Sequence, residues 1–428
     1  MKLEHLIRFD TAEDKIFLQE YLNDIDLIVF NANILCHQST NKADTLYSSF
    51  PNKKFFIDPR LYSFQLNLSN IKNKAGKIKS SYMKLAIEYG LDYVIDSDTS
   101  LTIEQVLKHG LNKLSEDILD FQNNFINENL DSEMKEMISF SKQFRTPEIL
   151  IAPAFCILDE KDLKWLDINK KLLDISLKVK DKYNKPLYAN LIISKEILSN
   201  KKAITQILDI YCKADGMVFW IDDFNEVSIN ENIIENLISL LIYYKQKNQT
   251  KKIYSLYGGY LHQILFNFGL NGVCHSVAYG ESKKINHGGG IPLSKFYLPM
   301  LYKRMQPESM IRLIRDIPIK TKKEFYEYIC NCPICKKIIN NDNIKLTFFS
   351  YLDDLEATDT IRRNAKYNCR SHYLEVKKKE FTLINTRTFE DLVKILEDTY
   401  KNISINHYMV KPEYIHLDRW IKVLKSYI

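Results

Sequence analysis

Short apolar runs alternate with longer amphipathic ones along most of this chain, and that alternation is the strongest constraint on its fold. It is the pattern of β/α units, whose parallel strands are buried on both faces and read as nearly continuous hydrophobic stretches. The candidate strands are DLIVFNA (26–32), KFFID (54–58), EILIAP (148–153), PLYANLIIS (186–194), DGMVFWI (215–221), KIYSLY (252–257), NGVCHS (271–276) and KFYLP (295–299). Helical patterns such as NENIIENLISLLIYYKQK fall between most of them. DYVID (92–96) is a competing ninth candidate.

The spacing predicts an α/β chain, a (β/α)8 TIM-like barrel over residues 1–300. Residues 66–147 are too many for one connection and read as a helical insertion. After Pro299 the pattern changes, so 301–428 is expected to be a C-terminal helical region that binds zinc.

The zinc expectation comes from CNCPICKK and CRSHYLEV, in which Cys330, Cys332 and Cys335 cluster and His372 follows downstream. A tight turn can aim three such thiols at one point, and soft thiolates plus an imidazole suit a closed, structural zinc site. Cys369, one helical turn before His372, competes as the fourth ligand. A closed site does no chemistry, so any reaction is expected elsewhere.

Hydrophobic residues make up 45% of the chain, with 26 Tyr and 22 Phe, enough for a large interior. The eight cysteines show no regular spacing outside the cluster, and no apolar run has membrane length. These features point to a cytoplasmic protein with reduced thiols and no membrane partner. The net charge of +6 is mild. Lysines gather at 53–54, 72–79, 283–284, 320–323 and 377–379. These runs are either solvated surface or a phosphate-contacting patch.

Barrel active sites gather at the C-terminal ends of the strands. Asp58 closes an apolar strand and is the first candidate for proton transfer, against a turn role before Pro59. Only one of Asp222 and Asp223 can enter the mouth, because neighbours on a strand face opposite sides. Asp222 is the candidate. His275 is the best-placed general base, and Glu281 the group that reaches back over the mouth. Cys274 is either a nucleophile or packing. Gly258 and Gly259 permit close backbone approach to a ligand or a tight turn. Phe155, Asn190, Tyr257 and Tyr279 complete the expected substrate-binding set, and Gly288–Gly290 form a second permissive loop.

A (β/α)8 barrel with C-x-C-x-x-C … H near its C-terminus resembles the queuine/archaeosine tRNA-guanine transglycosylase family, including its DNA-acting relatives. The resemblance carries the metal ligands onto Cys330, Cys332, Cys335 and His372. It sets FFIDPRLYSFQ, with Asp58, Phe64 and Gln65, where the family has its D-S-G-G-F-Q motif. It implies base exchange at a purine or 7-deazapurine in DNA or tRNA, and either a homodimer or a subunit of a larger assembly. The chain departs from the family where the nucleophilic aspartate belongs. In FGLNGVCHSVAYGES, Asn271 and Cys274 occupy the expected positions, and the P-T-R element is absent.

Two classes of function follow. One is a transglycosylase-like enzyme acting on a purine base in nucleic acid. The other is an inactive barrel of that type, binding nucleic acid or a modified base. A third reading uses His275 and Glu281 on a small substrate. A second carboxylate in the mouth beside Asp58 separates the first two.

Overall fold

The computed structural model describes residues 2–428 except 12, 38, 142–143, 279, 286–293, 317–318, 353–357 and 406–410, with backbone alone at 39–40, 307 and 316. Eight parallel strands form one sheet: β1 (Glu4–Phe9), β2 (Leu27–Asn31), β3 (Lys54–Asp58), β4 (Leu150–Ile151), β5 (Leu187–Ile193), β6 (Gly216–Ile221), β7 (Lys252–Ser255) and β8 (Gly272–Ser276). Their order is β3-β2-β1-β8-β7-β6-β5-β4. The Glu148 amide donates to the Phe55 carbonyl at 2.7 Å and brings the two ends together as a nearly closed barrel. β4 is short because a side chain completes its ladder. Gln122, on the helix Leu111–Glu128, accepts from the Ile151 amide at 2.8 Å and donates to the Ile151 carbonyl at 2.9 Å.

Two strand assignments change. The strand missing from the sequence reading is β1, whose polar Glu4, His5 and Arg8 interrupt the apolar run. Each has a partner: Glu4 binds Lys252 and Tyr254, His5 the Asp24 carbonyl and His275, and Arg8 the Leu256 carbonyl. KFYLP is not a barrel strand. It supplies β9 (Phe296–Leu298), which pairs antiparallel with β10 (Lys303–Met305). DYVID is helical, within Asp92–Ser97.

Alternate residues of the strands form two separate cores. Leu6, Val29, Phe56, Ile151, Tyr188, Val218, Tyr254 and Cys274 fill the barrel. Ile7, Phe30, Ile57, Leu191, Phe219 and Val273 pack outward against the helices. Between β3 and β4, helices over 80–88, 92–97, 103–109, 111–128 and 132–141 occupy the predicted insertion. The long helix Asp359–Thr386 lies on the barrel: Asn385 accepts from the Leu3 amide at 2.7 Å, and Tyr21 donates to the Ser371 carbonyl at 3.3 Å. No helix among the described residues is long and apolar enough to cross a membrane.

Candidate active site and metal centre

Cys330, Cys332, Cys335 and His372 converge in the interior, their ligand atoms all within 4.8 Å of one another. Cys332 caps the helix Pro333–Ile338, which returns Cys335 to the same side one turn later. The three Sγ atoms lie 3.9, 3.3 and 3.4 Å from His372 Nδ1. A tetrahedral ion with Zn–S of ~2.3 Å and Zn–N of ~2.0 Å needs sulfur–nitrogen edges of ~3.6 Å, so the set fits. The opposite ring nitrogen, Nε2, donates to the Tyr297 carbonyl at 2.6 Å, which leaves Nδ1 free to ligate. Phe296 stacks on the ring at 4.2 Å. Cys369 is not a ligand; its thiol donates to the Tyr351 carbonyl at 3.3 Å. The buried Cys3His cluster can hold a metal ion and is compatible with a structural zinc.

The second concentration of chemistry is the C-terminal mouth of the barrel. Asp58, at the end of β3, is buried and accepts from the Arg60 amide at 3.1 Å. Arg60 sits at φ +59°, a left-handed turn that folds its guanidinium back among the strand ends. Asn31 opposes Asp58 in register on β2 and donates to Asp10 at 2.9 Å. Asp10, just beyond β1, thus lies one strand from Asn31 and two from Asp58. Arg8 points inward and stacks on Tyr257, its guanidinium carbon 3.6 Å from the ring centroid. Trp220 packs between Tyr62 and Tyr257, with centroids 5.4 and 5.2 Å away. Lys283 reaches over both Trp220 and Tyr257. Burial, then Arg60 and Arg8, push its ammonium well below the usual lysine range, opposed by Asp58 and Asp10. An open cleft of about 590 Å³ adjoins the mouth, lined by Gln65, Leu66, Leu101, Asp162 and Trp165 among others.

The other expected residues divide between the two faces of the wall. Asn190 and Tyr257 face the mouth, where the Asn190 Oδ1 has no partner. Asp222 continues the inward face of β6 and accepts from the Ile285 amide at 2.6 Å; burial raises its carboxyl. Cys274 is inward beside Arg8, and burial pushes its thiol up to about 12, so it is no thiolate nucleophile at neutral pH. Asn271 lies at the opposite end of the barrel, accepting from the Ile253 amide at 2.8 Å.

His275 is a correction: it faces outward, bonded to His5 and packed near Phe381 of the long helix, out of reach of the mouth. Phe155 also faces outward, against Trp165 at 4.3 Å. The neighbouring Cys156 takes the inward place, its backbone held by both ends of the Gln65 amide. Glu281 is anchored rather than free, with Lys377 at 2.6 Å and the Tyr373 hydroxyl at 3.0 Å. Gly258 packs so closely on His262 that a Cβ would meet it at 2.6 Å. At Gly259 a Cβ would meet the carboxylates of Glu226 and Glu281 at 2.8 and 2.9 Å, so this glycine makes room for two acids of the protein itself. Tyr279 and Gly288–Gly290 lie outside the described residues.

Arg8, Asp10, Arg60, Tyr62, Trp220 and Lys283 were absent from the sequence-derived set. Recognising EHLIRFD as a strand would have exposed Arg8 and Asp10 as an inward residue and a strand end. Lys377, the first residue of one basic run, is fully buried between Glu281 and Glu380 and contacts no solvent.

These features define a parallel (β/α)8 barrel with a Cys3His cluster in its C-terminal region. Comparison with protein-family models gave no match, and comparison with curated proteins gave none either.

Proposed function

We propose that this chain is a base-exchange glycosyltransferase of the tRNA-guanine transglycosylase type, acting on a purine in DNA or RNA, with zinc in its Cys3His cluster. The observation that carries the reading is the pairing of Asp58 with a second strand-end carboxylate, Asp10, in one aromatic and basic mouth: both act on Arg8, Tyr257 and Lys283. Asp10 supplies what the sequence lacks at Cys274. A target base inside a duplex must leave the stack to reach such a mouth, and Tyr257, Trp220 and Tyr62 offer faces against which it can pack.

In this mechanism a carboxylate oxygen of Asp10 attacks the anomeric carbon. The carbon–nitrogen bond to the outgoing base breaks, its electron pair leaves with the base, and Asp58 delivers a proton to that nitrogen. The incoming base then attacks the same carbon through its ring nitrogen and displaces the carboxylate. Asp58, now the base, takes the proton that the nitrogen sheds. Zinc would be held by Cys330, Cys332, Cys335 and His372, and its contribution is to stability, since a closed site has no open position.

The test is retention of labelled guanine or 7-deazaguanine in bulk tRNA or duplex DNA incubated with the protein. Label in one polymer, lost in both Asp58→Asn and Asp10→Asn, supports exchange and names the substrate class. A protonated Cys274 where the resembled family has a carboxylate favours the second reading, a non-catalytic barrel that binds nucleic acid or a modified base in an assembly. No label in either polymer, from folded and metal-loaded protein, moves the assignment there.

A further inference from the structure

The segment that follows β8 is fastened to the end of β6 over residues 283–285. The Asp223 amide donates to the Lys283 carbonyl at 2.9 Å, and the Ile285 amide donates to the Asp222 carboxyl at 2.6 Å. Side chains then alternate across the rim. Ser282 and Lys284 are exposed, with Lys284 beside Asp223, while Ile285 joins the core that fills the barrel. Lys283 shares the inward side, its Nζ 5.1 and 5.6 Å from the ring centroids of Trp220 and Tyr257. No acceptor among the described residues bonds to that nitrogen. Lys377 is the contrast: burial lowers it too, but Glu281 and Glu380 touch it and hold its ammonium above the usual range. At Lys283, Arg60 and Arg8 reinforce burial and together outweigh Asp58 and Asp10, which favours the free amine. A free amine on an aromatic floor is a nucleophile toward carbonyl carbon. Uncharged polar groups surround it: Trp220 Nε1 and the Tyr62 hydroxyl are buried donors without acceptors, and Asn190 Oδ1 is a buried acceptor without a donor. Such groups are almost always satisfied in folded proteins, and sugar hydroxyls, which donate and accept, answer both kinds. Water answers them as well; the amine is what selects a carbonyl compound.

We propose that Lys283 forms an imine with the aldehyde of an open-chain pentose, the base-free sugar left in nucleic acid when water instead of an incoming base releases it from Asp10. The choice of this sugar rests on the proposed function, whereas the imine-forming amine rests on the placement of Lys283. Water adds to the anomeric carbon, Asp10 departs, and the hemiacetal so formed opens to an aldehyde. The Lys283 nitrogen then attacks that carbon with its lone pair, and the carbonyl oxygen takes a proton from the nitrogen. The carbon–oxygen bond breaks as the carbon–nitrogen double bond forms, and both hydrogens of the amine end on the water released. No oxidant or reductant is consumed.

Reductive trapping of the full chain at pH 7 tests it. Sodium cyanoborohydride is added with a duplex carrying one base-free deoxyribose, with the intact duplex, or with ribose 5-phosphate, and the modified lysines are mapped by peptide mass spectrometry. The base-free duplex should give a covalent adduct on Lys283 at least about tenfold faster than on any other lysine, because the amine and not the ammonium attacks. The intact duplex should give none. Lys283→Met and Lys283→Arg should both lose the adduct, and mapping on the wild type does not depend on how either variant folds. An adduct with ribose 5-phosphate but not with the base-free duplex would keep the amine and move the aldehyde to a free pentose. Modification spread evenly over the lysines, an adduct undiminished in both variants, or no adduct on Lys283 with either aldehyde would overturn the inference. The two readings fail separately: base exchange without trapping removes only this one, and trapping without exchange removes only the catalytic one.

Discussion

The imidazoles of His5 and His275 meet Nε2 to Nε2 at 2.8 Å, outside the barrel wall and beside Phe381. Their geometry fixes both tautomers. His5 Nδ1 lies 2.7 Å from the Asp24 carbonyl, which can only accept, so that nitrogen carries the proton. His5 Nε2 is then the acceptor and His275 Nε2 the donor, leaving the buried His275 Nδ1 without a proton or a partner. Protonating either ring disrupts the arrangement. Burial lowers His5 to about 4 and His275 well below the usual range.

The sign of the resulting pH dependence follows. The unfolded chain takes up these protons near pH 6.5, whereas the folded chain resists down to about 4. The His5 contribution is complete above pH 6.5 and declines as pH falls toward 4, by about 2 kcal/mol at pH 5. Asp14, which burial raises to about 6, acts in the opposite direction, so the test compares variants rather than absolute stability. Urea unfolding of wild type and His5→Asn should show the wild-type advantage shrinking by that amount between pH 7 and 5. A gap independent of pH would sink the tautomer argument.

Metal removal should destabilise the C-terminal region. Purified protein should carry one tightly bound divalent ion per chain by elemental analysis, and Cys332→Ser should lose it. Structural zinc contributes on the order of 10 kcal/mol to small zinc domains, so loss of solubility is expected as well. Cys369→Ser should retain the ion, because its thiol bonds to the Tyr351 carbonyl. Loss of metal in Cys369→Ser with retention in His372→Gln would reverse the ligand assignment.

Asp58→Asn and Asp10→Asn should each abolish base exchange, by roughly 10²-fold or more, while leaving the melting temperature within a few degrees. Cys274→Ser should keep activity, since a thiol held at about 12 does no nucleophilic work. Collapse of the fold in Asp58→Asn, whose carboxylate accepts from the Arg60 amide, would make that residue a turn anchor and nothing more.

Lys377 neutralises two acids at once, Glu281 at 2.6 Å and Glu380 at 2.7 Å, and its Nζ also donates to the Tyr297 hydroxyl at 3.0 Å. Lys377→Met strands both carboxylates and should cost about 3–5 kcal/mol. Adding Glu380→Gln should recover part of the loss. A single-variant cost below about 1 kcal/mol, measured by denaturant unfolding, would show that water already screens the cluster.

The barrel was legible because parallel strands buried on both faces leave long apolar runs, and seven of the eight were found that way. The same property hid which way each residue faces. In a run such as NGVCHS both faces are buried, so hydrophobicity carries no alternation to separate Cys274 inside from His275 outside. Phe155 was named for the mouth because it follows an apolar run, but beyond β4 it is Cys156 that joins the inner core. β1 escaped notice because its polar residues are satisfied by partners remote in sequence, among them Leu256 and His275.

By itself the sequence determined the strand–helix alternation and the three thiols of the metal centre, since both depend on residues close together in the chain. Tertiary structure bore out His372 over Cys369 and supplied the reason, through the carbonyls of Tyr297 and Tyr351 that each side chain meets. It alone set Asp10 beside Asn31 and near Asp58, because their proximity comes from the order in which β1, β2 and β3 pair. Spacing along a chain fixes what lies within a turn or two; which strand ends share a mouth is decided by the closure of the sheet.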